Sequence, residues 1–133
     1  MRSALASALL VVVCAAGCGS SGGGDIEQAQ DAVRDYVTGI ADGDGARACG
    51  RMSREAQQRL VDQQEPAAGV DSCEAAVARL GEQLTEEDRA AWRDPKIDVT
   101  LNRDKAVASV EDGPRDLTVI RVDGKWLVDD PRR

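Results

Sequence analysis

The sequence predicts an α+β domain, with helices packed on an antiparallel sheet of about four strands. Three observations predict it. From residue 25 to about residue 92 the apolar residues recur at helical spacing, whereas from Ile97 onward they recur at every second position. Asn102-Arg103-Asp104, Asp112-Gly113-Pro114 and Asp123-Gly124 cut the second half into short runs separated by turns. Helices come first and strands second, without alternation, which segregates the two kinds of element into an α+β arrangement.

Each element has its own local cause. Asp25, with Gln28 three residues later, makes a capping-box-like start. Ile26, Ala29, Val33, Tyr36, Val37 and Ile40 then line one face of a first helix. Asp42-Gly43-Asp44-Gly45 stops it and starts a short helix toward Cys49. Ser53 is placed to cap a third helix, with Ala56, Leu60 and Val61 facing inward. Pro66 to Val70 is a loop. Asp71 and Glu74 open a fourth helix carrying Cys73, Val77 and Leu80, and Thr85 with Asp88 marks a last short helix that ends near Trp92 ahead of Pro95.

Four strands follow. Ile97, Val99 and Leu101 alternate with Asp98 and Thr100, and Ala106 to Val110 forms the second strand. Leu117 to Val122 and Lys125 to Val128 flank Asp123-Gly124, a strong short hairpin signal. A two-residue turn fixes the register: Val122 faces Lys125, Arg121 faces Trp126, Ile120 faces Leu127 and Val119 faces Val128. One face then carries Leu117, Val119, Arg121, Trp126 and Val128. The other carries Thr118, Ile120, Val122, Lys125 and Leu127. Neither is fully polar, so the sheet wants cover on both sides, by helices on one and by a partner subunit, such as a second copy, on the other.

The front of the chain reads as an address. Arg2 precedes the apolar run Ala4 to Val13, and the apolar stretch stops at Gly17, short of the ~20 residues that cross a bilayer as a helix. Ala15-Ala16-Gly17 is followed at once by Cys18, and then by the tract Gly19 to Gly24. An ordinary secretory signal also tolerates cleavage after Ala15-x-Gly17. The cysteine directly behind the small residues resembles bacterial lipoprotein signals, with the departure that Ala15 stands where leucine is more common. The expected organisation is a signal peptide over 1–17, a lipidated Cys18 with a glycine and serine tether over 18–24, and one domain over 25–130. Several acyl chains give stable anchoring where one does not. The expected location is therefore the extracytoplasmic face of a membrane, held by lipid.

Composition bounds the partners. Arg2 is the one charged residue of the signal, which leaves 16 basic against 24 acidic residues in the mature chain, a net charge of −8. An acidic chain with 2% aromatic residues is poorly suited to nucleic acid and to a polybasic contact with a membrane surface. With Cys14 in the signal and Cys18 taken by lipid, Cys49 and Cys73 remain. In an oxidising space such a pair reads as one disulfide, the alternative being two buried thiols. The chain has no histidine, and two distant cysteines do not make a zinc site. No metal or cofactor is expected.

The helix segment AVRDYVTGIA over 32–41, its continuation DGDGARAC, and the closing TVIRVDGKWLVDD over 118–130 together resemble the nuclear transport factor 2-like superfamily, especially its small bacterial lipoproteins. The resemblance covers residues 25–130 and implies a cystatin-like cone, a sheet bent around a long first helix, with a pocket inside and dimers formed through the outer sheet face. None of the three segments is catalytic.

The superfamily includes isomerase- and cyclase-like enzymes that use a pocket acid or histidine with an oxyanion donor. With histidine absent, a cone-fold enzyme here would rest on Tyr36 and a carboxylate, with Asp98 as one base. Plainer readings stand beside each residue: Tyr36 as a core ring, Asp98 on a solvated strand face, and Trp126 packed over Arg121 and Val119 instead of lining a pocket. Trp92 plugs the edge of the core. Ser53 has no histidine partner and reads as a cap. Glu86-Glu87-Asp88 sits in a helix's first turn, where the dipole favours acids, and lacks the spacing of a calcium loop. The glycine and serine tract lacks the lysine spacing of a phosphate loop. The balance favours a lipid-tethered, non-catalytic domain that binds a small apolar ligand or a protein partner.

Overall fold

The computed structural model describes residues 23–130. The expected signal, Cys18 and the first part of the tether lie outside the described residues. Within them, five α-helices pack on a four-stranded antiparallel sheet, helices leading and strands following, with no closed barrel.

The first helix, α1, is the 20-residue span Gly23–Asp42, and it carries the molecule's main apolar stripe. Ala29, Val33, Tyr36, Val37 and Ile40 are buried as the spacing predicts. Ile26 is not: it is 36% exposed, because it sits beyond the end of the covered stripe. Asp25 is not the cap either. The helix starts two residues earlier, which frees the Asp25 side chain for long-range partners described below.

The other helices are short and individually capped. Asp44 caps α2 (Gly45–Cys49) by accepting from the Arg47 amide at 3.1 Å. Ser53 caps α3 (Arg54–Asp62), accepting from Ala56 N at 3.1 Å. A single 3-10 turn, Pro66–Ala68, interrupts the loop that follows. Ser72, not Asp71, caps α4 (Cys73–Gln83). Thr85 caps α5 (Glu86–Arg93). Such caps satisfy backbone donors that the first turn leaves open, each contributing ~1 kcal/mol.

Close approach binds the helical layer together. A Cβ at Gly39 would lie 2.8 Å from Ala48 N, and one at Gly81 would lie 2.6 Å from Ile40 O. Only glycine lets α2 and α4 sit this near α1. Cys49 on α2 and Cys73 on α4 form a disulfide across 24 residues, with Cα atoms 6.1 Å apart. Closing that loop contributes ~3.5 kcal/mol by chain entropy.

The sheet runs β1 (Ile97–Asn102), β2 (Lys105–Val110), β3 (Leu117–Val122) and β4 (Lys125–Asp130) in sequence order. The β3–β4 register is the expected one, from Val122 opposite Lys125 to Val119 opposite Val128. Asp123 and Gly124 both take positive φ, 50° and 77°, as a tight turn between twisted strands requires. Thr118 then pairs with Asp130, so Asp129 is an extra residue in β4. This bulge gives Asp129 to the cap of α3: Ser53 Oγ donates to its carboxylate at 2.6 Å, and Arg59 donates to its carbonyl. Residues 51–53 run along the free edge of β4, with Ser53 N donating to Val128 O and Val128 N donating to Arg51 O, so that edge is not left open.

The inner sheet face, Ala106, Ala108, Val110, Leu117, Val119, Trp126 and Val128, is buried under α1 and its neighbours. The outer face keeps Val107 and Val122 exposed, at 48% and 42%.

Candidate functional site

The one-sided cover leaves the helices to enclose space among themselves. A cavity of about 290 Å³ lies between α1, α3, α4, α5 and the β2–β3 loop. Tyr36 and Ile40 of α1 form its floor, four residues apart and so on one helix face. Leu60 and Gln63 come from the end of α3, and Leu80, Gln83 and Leu84 from the end of α4. Trp92 of α5 and Gly113-Pro114 of the β2–β3 loop complete it. The volume equals that of about ten liquid waters and sits at the small end of ligand pockets.

Its far wall is held by hydrogen bonds more than by burial. Helix α5 has no buried residue of its own. Arg89 pins it, donating to Ala41 O at 3.0 Å and to Gly81 O at 2.9 Å, the C-terminal ends of α1 and α4. A guanidinium suits that place, since both helix dipoles present carbonyls there. Thr38 Oγ1 donates to Trp92 O, Trp92 Nε1 donates to Asp112 O at 3.2 Å, and Arg93 pairs with Asp42 at 2.9 Å. Gly113 leaves room for the Trp92 ring, because a Cβ there would come within 3.2 Å of the indole nitrogen.

The chemistry of the lining is plain. Leu, Ile, Tyr, Trp and Pro side chains supply the walls, and the amides of Gln63 and Gln83 supply both hydrogen-bond donors and acceptors. No carboxylate, guanidinium or amine belongs to the lining. Such a site accepts an uncharged, mainly apolar group and would desolvate any ion placed in it at a cost.

The candidate residues therefore separate. Tyr36 lines the cavity. Trp126 does not: it is 1% exposed at the other end of the fold, where it borders a separate small depression, Arg121 lies 5.5 Å over its ring and its Nε1 donates to Asp25 at 3.4 Å. Arg121 also pairs with Asp25 at 3.0 Å and Asp104 at 2.6 Å. The Asp104 hydrogen bond first, then the attraction of Asp25, raises the guanidinium's pKa above its ordinary value, with desolvation opposing. Asp98 is exposed on β1 in a polar depression with Lys96 and Glu111, outside the lining that contains Tyr36. Ser53 serves as a cap, as read from sequence. Cys49 and Cys73 are joined.

Sequence reasoning missed Gln63, Gln83, Leu84 and the Gly113-Pro114 loop as one site. They lie at the ends of separate elements, and no spacing connects them. The hint that existed was Trp92, a large ring at a helix end with apolar neighbours far away in the chain.

Among the described residues, no group of three or more His, Cys, Asp or Glu is arranged to hold a metal, and no helix is long and apolar enough to cross a membrane. Comparison with protein-family models, with curated proteins and with solved structures found no match.

Proposed function

We propose that this protein is a lipid-anchored, extracytoplasmic lipoprotein whose domain holds a small, uncharged apolar ligand without transforming it. The carrying observation is the cavity between α1, α3, α4 and α5, whose apolar walls include two amides and no charged side chain. General acid–base chemistry needs a titratable group in reach of the bound molecule, and the lining offers only the Tyr36 phenol for that role. The anchor rests on Cys18 directly behind Ala15-Ala16-Gly17, and the Cys49–Cys73 disulfide suits the oxidising side of a membrane. The reading includes membership of the nuclear transport factor 2-like superfamily, supported by the helix-then-sheet order and the hairpin at Asp123-Gly124. It also includes pairing of the outer sheet face with a second copy, supported by the exposure of Val107 and Val122.

The test uses protein extracted from membranes. Intact mass should show acylation at Cys18; a free N-terminus there, or a retained signal, refutes the anchor. An uncharged naphthylamine probe should bind one per chain and be displaced by whatever apolar molecule co-purifies. Absence of both probe binding and a co-purified ligand refutes the binding reading. Sedimentation should give a dimer, and a monomer at high concentration removes the paired face.

A further inference from the structure

The antiparallel meander puts two turns at one end of the sheet: Arg103-Asp104 between β1 and β2, and Asp123-Gly124 between β3 and β4. The start of α1 belongs to the same end. Asp25 accepts from Arg121 and Trp126, and Gln28 and Asp31 share a small depression with Gly124 and Lys125. The chain leading to Cys18 therefore enters the domain at these turns. Four residues separate Cys18 from Gly23, the first residue of α1, so the five chain steps between them reach roughly 18 Å even fully extended. The ligand cavity lies at the opposite end. Tyr36 is thirteen residues along α1 from Gly23, about 20 Å, and the β2–β3 loop that borders the cavity is a strand's length, about 20 Å, from the two turns.

Charge divides the same way. At the entry end Arg51, Arg103, Lys105, Arg121 and Lys125 stand against Asp25, Glu27, Asp31, Asp104 and Asp123, a balanced set. The excess acid of the mature chain, −8, is therefore carried by the rest of the molecule. Arg103, Lys105 and Lys125 are exposed and form no ion pair among the described residues, against two exposed acids there, Glu27 and Asp123, that form none either, and Ile26 adds exposed apolar surface at the start of α1.

We propose that the bilayer surface is a docking partner of this end: Arg103, Lys105 and Lys125 rest among anionic lipid headgroups, and the cavity is held facing away from the membrane. The inference rests on lipid anchoring at Cys18. An anchor of this length keeps the entry end near the surface. The acidic remainder is repelled by anionic headgroups over about a Debye length, roughly 8 Å at physiological salt, while the basic side chains at the turns are attracted. Orientation follows from both effects.

The chain's three lysines report it without mutation, since Lys105 and Lys125 lie at the entry end and Lys96 lies beside Glu111 at the other. The acylated protein is placed in vesicles of phosphatidylglycerol and phosphatidylcholine and treated with a water-soluble amine reagent, and each lysine is quantified by mass spectrometry. Relative to detergent solution, Lys105 and Lys125 should react at least threefold more slowly, with Lys96 unchanged. Half-molar salt should remove most of the protection. Equal rates at all three lysines, or protection of Lys96 instead, would overturn the docked orientation while leaving the anchor intact. Protein that carries no acyl chain and does not float with the vesicles would overturn the anchor and the docking together. Arg103→Asn, which suits the positive φ of 57° at that turn, should weaken protection of Lys105 in anionic vesicles; unchanged protection counts against the proposed contact.

Discussion

The two tryptophans mark two ends built on different principles. Trp126 closes the entry end: fully buried, its indole N–H accepted by Asp25 and its face covered by Arg121. Trp92 walls the other end, half-buried, with its N–H on a loop carbonyl and its ring facing a cavity. The same side chain seals space in one place and encloses it in the other. What differs is the neighbour. Trp126 sits on a strand whose inner face meets α1 along its length, so surrounding atoms fill the volume. Trp92 sits on a helix with no buried residue, held by polar bonds at its ends, so volume remains.

That contrast is open to measurement. Trp126→Ala should cost the most, ~4 kcal/mol in denaturant unfolding, because a large cavity opens in a packed layer. Trp92→Ala should cost less than half as much; equal losses would erase the distinction between the ends. Replacing both Cys49 and Cys73 by alanine should lose ~3 kcal/mol, and peptide mapping without reductant should show the two linked in the native protein. Gly81→Ala places a methyl 2.6 Å from the Ile40 carbonyl and should cost ~2 kcal/mol, less if α4 slides away from α1. Leu80→Phe fills the cavity. It should leave stability within ~1.5 kcal/mol and cut binding of the uncharged probe at least tenfold; unchanged binding would place the probe elsewhere. The smallest effect belongs to Asp25→Asn. That pair is solvent-exposed, so unfolding should barely move, while Trp126 fluorescence responds to the altered partner.

Much of this was legible from residues alone. Asp123-Gly124 set the β3–β4 register because a two-residue turn leaves no freedom in pairing. Ser53 and Thr85 announced their helices because a cap is a contact between residues three apart. Asp25 shows where local logic stops. It had the form of a cap, yet its carboxylate pairs with Arg121 and Trp126, ninety-six and one hundred and one residues away. The bulge at Asp129 was equally invisible, since its partners Ser53 and Arg59 lie seventy-six and seventy residues away.

By itself the sequence determined the order of elements, the turn chemistry, most of the inward faces (Ile26 and Val61 excepted) and the pair of cysteines that can meet. All of these depend on periodicity, on capping at short range, or on a residue type too rare to have alternatives. Tertiary structure alone decided which helix ends converge on a cavity, that Tyr36 joins it while Trp126 does not, and that the entry of the chain lies opposite. The reason is that empty volume belongs to no residue. It is what remains when five helices of unequal length cover one face of a sheet.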